Sequence, residues 1–366
     1  MIAATNPLDS LIAEASRALT ICNACRYCEG FCAVFPAMTR RLDFTEPDIH
    51  YLANLCHNCG ACLHACQYAP PHVFAVNIPI ALSAVRAKSQ ETYAWPQQFA
   101  KIYYEAGAGV AMGLSAIFSL LLLFIAESQS GLWRPNLNAN FYAIFPHNAL
   151  ALVFGAVFIA AAAAIYLGVR NFWVASQANE NKPTALSKPL LNAAMLDAAH
   201  QAATLKHLGG GHGEGCNEES DRYTLVRRRF HHATVVGFLL CLASTSVATL
   251  YHYLFAWQAP YSLFSAPVIL GTIGGISLAV GTGGLLWLKL RRHPLHIDVA
   301  QKPMDVAFIT LLWLVAVTGL VLLALRSTPL MPSLLCIHLG CVMAFFISMP
   351  YGKFAHGFYR SAALLK

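Results

Sequence analysis

Residues 22–32 read CNACRYCEGFC, and residues 56–66 read CHNCGACLHAC. Both runs have the spacing C-x2-C-x2-C-x3-C, which is that of bacterial two-cluster ferredoxins. In such proteins three closely spaced thiolates hold three corners of one iron–sulfur cubane, and the fourth cysteine of the run reaches across to the other cluster. The duplicated pattern therefore predicts two [4Fe–4S] clusters near the start of the chain.

The predicted ligand sets are crossed between the two runs. The first set is Cys22, Cys25, Cys28 and Cys66, and the second set is Cys56, Cys59, Cys62 and Cys32. Structural zinc is the alternative, but zinc takes four ligands in two separated pairs, and eight cysteines in a duplicated run do not fit that arrangement. Residues 1–21 read as an amphipathic helix rather than a secretory signal, which favours a reducing cytoplasm and metal ligation over disulfides.

The stretch between the two cysteine runs predicts a helix. Thr45 can cap its first turn, with Asp48 as the carboxylate three residues later, and no strand-like alternation follows. We therefore expect residues 1–85 to form an α-helical ferredoxin-like domain of the kind found in iron–sulfur subunits of respiratory dehydrogenases. A small ferredoxin that contains strands is the alternative.

The rest of the chain is too apolar for a cytosolic globule. Of its 366 residues 57% are hydrophobic and 11% are charged, against about 25% charged residues in soluble domains. Six apolar segments are close to the ~20 residues that cross a bilayer, at roughly 106–126, 147–169, 233–256, 264–288, 304–325 and 333–351. The fourth is rich in glycine, which suits close helix–helix packing. The predicted fold is mainly α: the ferredoxin-like domain, a linker or interfacial segment at 86–105, a six-helix transmembrane bundle at 106–351 and a tail at 352–366.

The basic residues predict the orientation of this bundle. Of the 24 Lys and Arg residues, all but Arg134 and Arg326 lie on one side of the bundle: before segment one, between segments two and three, between segments four and five, or after segment six. By the positive-inside rule both termini and the cysteine domain are cytoplasmic, and the net charge of +7 reflects topology rather than a nucleic-acid partner. The long loop at 171–230 carries His207, His212 and Cys216, whose spacing matches no metal site, so it is expected to be a flexible linker.

Histidines near the ends of the apolar segments are candidate haem ligands. His338 and His356 are 18 residues apart, which is five helical turns and ~27 Å, close to the ~30 Å of the hydrocarbon core. His231 or His232 with His356 would hold an inner b-type haem, and His252 with His338 an outer one, because neutral imidazole is a common axial ligand. The rival ligand for the outer haem is His147. A solvated position is expected for His293 and His296, beside basic residues.

Several further motifs resemble the tricarballylate/citrate utilisation protein B family. They are RFHH at 229–232, ATLYHY at 248–253, WLKLRR at 287–292 and MPYGKF at 349–354, followed by His356. The resemblance, which covers nearly the whole chain, implies a membrane protein with iron–sulfur clusters and haem that reoxidises the flavin of a separate FAD-dependent dehydrogenase. The membrane part also resembles the di-haem gamma subunits of nitrate reductases. Related sequence occurs in the C-terminal half of a flavin-containing cobalamin biosynthesis protein.

Three functions follow from these features. The first is transfer of electrons from a tricarballylate dehydrogenase type of flavoprotein, through the clusters and haem, to the membrane quinone pool. The alternatives are a membrane transporter with a metal-binding regulatory domain and an electron-transfer component of cobalamin biosynthesis. Against transport, the apolar segments carry almost no internal carboxylate or lysine. No dinucleotide fingerprint or nucleophile–base pair is present, so no catalytic residue is predicted and quinone reduction is the expected chemistry.

Overall fold

The computed structural model describes residues 7–130, 140–178, 188–296, 298–299 and 301–366, and these residues are mainly α-helical. The helices are α1 (Pro7–Cys25), α2 (Val34–Met38), α3 (Glu46–Leu55), α4 (Ala61–His64), α5 (Ile78–Tyr93), α6 (Gln97–Ser130), α7 (His147–Gln177), α8 (Lys188–Ala203), α9 (Val226–Phe255), α10 (Ala266–Arg291), α11 (Lys302–Ala324), α12 (Met331–Ser348) and α13 (His356–Leu365). Strands β1 (Cys216–Asn217) and β2 (Tyr223–Thr224) form a short antiparallel pair, and 3-10 turns occur at Phe141–Ala143, Lys206–Gly209, Gly211–Gly213 and Pro294–His296. The mainly α fold expected from the sequence is confirmed.

The N-terminal domain is a small helical core built by α1, α3 and α5. Leu19, Leu52 and Leu82 are fully buried in it. The predicted helix start is present: the Thr45 N–H and hydroxyl both bond to Asp48 Oδ2, at 3.3 and 2.6 Å. Burial alone would raise the pKa of Asp48, but hydrogen bonds from Arg41 and Thr45 outweigh burial and lower it. Residues 7–85 contain no strand, as the helical ferredoxin arrangement requires.

Six helices in the described parts of the chain are long and apolar enough to cross a membrane. They are α6, α7 and α9 to α12, which confirms the six predicted segments. Helix α6 bends at Ala106 (φ −133°, ψ 26°), where the first segment was predicted to begin. The predicted linker at 86–105 is instead helical on both sides of a short break, with α5 ending at Tyr93 and α6 starting at Gln97.

Helices α9 and α10 pack with their backbones in contact. A Cβ atom on Gly237 would overlap the backbone nitrogen of Leu278, and one on Gly281 would lie 2.5 Å from the backbone nitrogen of Thr234. Only glycine permits so close an approach, which is the packing that the glycine-rich fourth segment predicts. Helix α12 packs on α6 and α11, so α9 does not pack closely along α12.

The loop between α7 and α9 is folded onto the N-terminal domain, and the expectation of a flexible linker is wrong for residues 188–225. Cys216 is fully buried, and the Asn217 N–H donates to the Cys59 carbonyl at 3.2 Å. The tail predicted at 352–366 forms α13, which packs on α3, α7 and α8. Apolar burial against the cysteine domain fixes both segments, a long-range effect that their own sequence does not reveal. Arg134, used above for orientation, lies outside the described residues.

Candidate metal centres

The cysteines of the first predicted set line one cavity, which we call site one. Its volume is about 290 Å³, and its thiols are Cys22, Cys25, Cys28, Cys66 and the neighbouring Cys62. The first two lie at the C-terminal end of α1, and the left-handed conformation of Arg26 (φ +58°) turns the chain after the helix. Tyr27, a further lining residue, is 70% exposed, so site one lies near the surface.

The cysteines of the second predicted set line a narrower cavity, which we call site two. Cys32, Cys56, Cys59 and Cys62 surround it, together with His57 and His207. Because Cys62 lines both cavities, the two sites adjoin. Among the described residues, no group of three or more His, Cys, Asp or Glu side chains is arranged to hold a single metal ion. The thiols surround two spaces, one for each predicted ligand set.

Backbone N–H groups point at the thiols of site two. Asn58 N–H donates to Cys56 Sγ at 3.3 Å, Ala61 N–H donates to Cys59, and Val34 N–H donates to Cys32. Such hydrogen bonds stabilise thiolate over thiol and are a common feature around iron–sulfur clusters. Burial raises the pKa of Cys22 and Cys28 in site one to about 12, and it also raises the pKa of Cys32, Cys56 and Cys62 in site two.

A ninth thiol contacts site two. Cys216 is within hydrogen-bonding distance of Cys59, and this contact is the main reason why the pKa of Cys59 falls to about 6 despite burial. The Cys216 thiol also lies 3.4 Å from the Leu208 carbonyl. From the sequence, Cys216 is expected to lie in a flexible linker, because its spacing matches no metal site. Only the fold of the loop brings it beside Cys59.

Four arginines, of which Arg86, Arg292 and Arg360 are buried, surround the backbone of residues 55–58, beside site two. Arg86 donates to the Cys56 carbonyl, Arg360 to the Leu55 carbonyl, and Arg292 to the Asn58 carbonyl. The fourth is Arg227, which donates to the Asn58 carbonyl at 3.4 Å. Desolvation lowers the pKa of Arg292 to about 9 and that of Arg360 to about 10, so both remain charged at neutral pH. None of these four side chains is predicted from the sequence to lie beside a metal centre.

Imidazole rings continue from site two toward the membrane helices. Burial lowers the pKa of His57 well below its ordinary value. Positive charge on neighbouring groups would lower this pKa further, and those neighbours are Arg360, His231, His356 and His207. The rings of His231 and His356 have centroids 6.2 Å apart and planes 75° apart. When two imidazoles bind one metal from opposite sides, their ring centroids are roughly 6 Å apart, because metal–nitrogen bonds are about 2 Å long.

The inner pair has the hydrogen bonding that metal-ligating histidines use. His356 Nδ1 bonds to the Lys353 carbonyl, and burial lowers its pKa to about 3. The ring is therefore neutral, with Nδ1–H donating and Nε2 carrying the free lone pair. The His232 Nε2 instead bonds to the Ala203 carbonyl at 3.3 Å. Of the two predicted alternatives, the structure brings His231, and not His232, to His356.

The outer histidines are arranged differently from the prediction. His252 stacks on His147, with ring centroids 3.7 Å apart, and in the described residues no ring contact joins it to His338. His231 and His252 are 21 residues apart on α9, so their side chains point about 60° apart around the helix. His231 contacts its predicted partner His356, and His252 contacts His147. The Nδ1 of His338 bonds to the Thr318 hydroxyl at 3.0 Å, which leaves its Nε2 available.

The expectation of a solvated position is wrong for His296. It is fully buried, and its Nε2 lies 2.9 Å from His64 Nε2. The Nδ1 of His64 lies 2.6 Å from the exposed carboxylate of Asp221. His64 therefore links this carboxylate to the buried ring of His296, which packs against Gly60. His293, the other residue expected to be solvated, is half-buried beside His64.

These features define a class: a helical ferredoxin-like domain with two thiol-lined cavities, attached to a bundle of six membrane-length helices. Residues 107–366 match the family described as Citrate utilization protein B, and residues 15–92 match the Citrate utilization protein B Fer4-like domain. The chain therefore belongs to the citrate utilization protein B family. The Citrate utilization protein B of Escherichia coli is 56% identical over 354 residues, which cover 97% of this chain and 91% of that protein. No solved structure matches the chain.

Proposed function

We propose that the chain carries electrons from the reduced flavin of a separate FAD-dependent dehydrogenase to the membrane quinone pool. The observation that carries this proposal is one continuous series of sites: site one near the surface, site two adjoining it, and the His231–His356 pair beyond His57. Two [4Fe–4S] clusters and b-type haem, bound at these sites, would supply one-electron redox chemistry. The name of the Escherichia coli relative refers to citrate utilization, so we assign the dehydrogenase a tricarboxylate substrate such as tricarballylate or citrate.

The residues present fit these groups. The crossed thiol sets would hold the clusters, and the buried arginines beside site two would offset the negative charge of four thiolates. The inner haem would be held by His231 and His356, because their ring separation and free nitrogens suit two axial ligands. An outer haem remains a prediction, with His252, His338 and His147 as its candidate ligands.

The chain itself would hold these groups close together and shield site two from water. Site two is enclosed by α13 and the folded loop, and it lies between the exposed site one and the membrane helices. The flavoprotein would dock over site one, and quinone would be reduced within the helix bundle. We assign no residue of this chain to the dehydrogenation of an organic acid. That reaction would take place in the partner flavoprotein.

We also propose that both termini and the cysteine domain face the cytoplasm. The cysteine domain, the folded loop, residues 292–296 and α13 all pack together at one end of the bundle. Arg326, which donates to the Tyr261 carbonyl at 3.0 Å, is the one basic residue in the described loops at the other end. The positive-inside rule therefore supports a cytoplasmic cysteine domain.

The test uses the full chain purified in detergent under anaerobic conditions. Iron and sulfide analysis should give two clusters per chain, and a dithionite-reduced minus oxidised spectrum should give b-type haem bands. Adding quinone to the reduced protein should reoxidise both signals, and the reduced flavoprotein should reduce them again. A colourless protein, or one that contains zinc in place of iron, would contradict the proposal. Citrate uptake by vesicles that hold haem-free protein would favour the transporter alternative.

A further inference from the structure

The four arginines beside site two form what we call the arginine collar: Arg86, Arg227, Arg292 and Arg360. They come from four separate parts of the chain: α5, α9, the end of α10 and α13. Each donates to a carbonyl of residues 55–58, which run into the cysteines of site two. Arg86, Arg292 and Arg360 are less than a tenth exposed.

The collar carries more positive charge than its surroundings neutralise. In the described residues, its one ion pair is between Arg227 and Glu218. Arg292 Nε and Arg360 Nη2 are buried without a hydrogen-bond partner. Three guanidinium charges therefore stand in excess, and a buried unpaired charge is costly unless an anion lies beside it. A [4Fe–4S] cluster with four thiolates is such an anion, carrying two negative charges when oxidised and three when reduced.

In the part of the chain that the structure describes, site one has no matching set of buried cations. The groups that act on Cys22 and Cys28 are burial and the neighbouring thiols. The basic residues near it, Arg17 and Arg26, are exposed, so solvent screens their charge, and Arg17 also pairs with Glu14 at 2.7 Å. The two adjoining sites therefore differ sharply in local charge.

We propose that the arginine collar gives the site-two cluster the higher reduction potential of the two and so directs electrons from site one toward the membrane. This inference rests on the proposed function. The step moves one electron: the site-one cluster is oxidised, the site-two cluster is reduced, and no proton or covalent bond changes. Extra negative charge is stabilised by buried cations, which solvent screens little. Burial opposes this effect by disfavouring the more charged state, but the collar contributes several charges beside site two.

The first test compares the two clusters in the unaltered protein. An EPR-monitored redox titration of the detergent-purified full chain gives both midpoint potentials. A water-soluble paramagnetic gadolinium chelate then identifies the site-one cluster, because it relaxes the signal of the more exposed cluster more strongly. The expected result is that the relaxed signal belongs to the cluster with the lower potential. If it belongs to the higher-potential cluster, the inference is overturned.

The second test removes one charge from the collar. Arg292→Gln should lower the midpoint of the site-two cluster and leave that of site one unchanged, whereas Arg292→Lys should retain most of the original value. Arg17→Gln is the matched control, because Arg17 also donates to a backbone carbonyl, that of Phe74, but lies exposed outside the collar. With iron and sulfide retained, an unmoved site-two midpoint or an equal shift of both clusters would refute the inference.

The two proposals can fail separately. A protein without clusters contradicts the proposed function, and the order of potentials then has no meaning. A protein with both clusters and the reverse order of potentials leaves the proposed function intact and removes only the role of the collar. If Arg292→Gln loses iron, the titration of the unaltered protein still decides the question.

Discussion

Asp305 joins two lysines where α10, α11 and α12 meet, and its removal should destabilise the whole molecule. Its side chain is 8% exposed, and its oxygens lie 2.6 Å from Lys289 Nζ and 3.0 Å from Lys353 Nζ. Asp305→Asn keeps the shape but leaves two buried ammonium groups without a counter-charge. Breaking a buried pair in this way costs about 3–5 kcal/mol. Because Lys353 is 21% exposed, water can reach it, and we expect the lower half of that range.

The assay is thermal unfolding of the detergent-purified protein at pH 7. At about 2 °C per kcal/mol for a chain of this size, Asp305→Asn should melt roughly 6–8 °C lower. Glu14→Gln is the control, since the Glu14–Arg17 pair is about half exposed and should change the melting temperature by less than about 2 °C. Adding Lys289→Met to Asp305→Asn should recover part of the loss, because it removes one unpaired charge. An unchanged melting temperature, or a double variant no more stable than the single one, would refute the reasoning.

Three further predictions concern the metal centres and their scaffold. Cys32→Ser and Cys66→Ser should each lose about half of the iron, from site two and site one respectively, as iron analysis and EPR would show; loss from the opposite site would exclude crossed ligation. His231→Ala should lower the b-type haem content, whereas His232→Ala should leave it unchanged in a pyridine haemochrome assay, and equal effects would contradict the assignment. Asp48→Asn should destabilise the protein by about 1 kcal/mol at pH 7. Because the folded-state pKa of Asp48 lies below its ordinary value of 3.8, this difference should disappear as the pH falls below that value and should persist at higher pH.

Local sequence patterns predicted those parts of the molecule that depend on nearby residues. The cysteine runs fold as short turns at helix ends, so their spacing alone indicates which thiols can lie together. The hydrogen bonds between Thr45 and Asp48 span three residues, and the apolar segments need only sufficient length. Even the bend at Ala106 coincides with the change from mixed to apolar sequence.

Features made by contacts between distant parts of the chain were not predictable in the same way. The loop at 188–225 looked like a linker because its burial depends on a surface that other residues supply. The pairing of the outer histidines depends on which side of α9 faces α10, and in the fold His252 lies against His147. Isolated arginines carry no motif, so nothing in the sequence distinguishes Arg360 at a buried site from an exposed basic residue.

The construction of site two links the two halves of the protein. Residues 55–59 supply its backbone, while Arg292, Arg227 and Arg360 reach it from the ends of membrane helices and from α13. The same carbonyls that follow α3 therefore hold the cysteine domain to the bundle and collect the cations that an anionic cluster requires. A domain separated from the bundle would lose those cations along with its anchor. Docking of the domain and stabilisation of a reduced cluster at site two thus depend on the same contacts, which keeps the electron carrier next to the helices that would receive its electron.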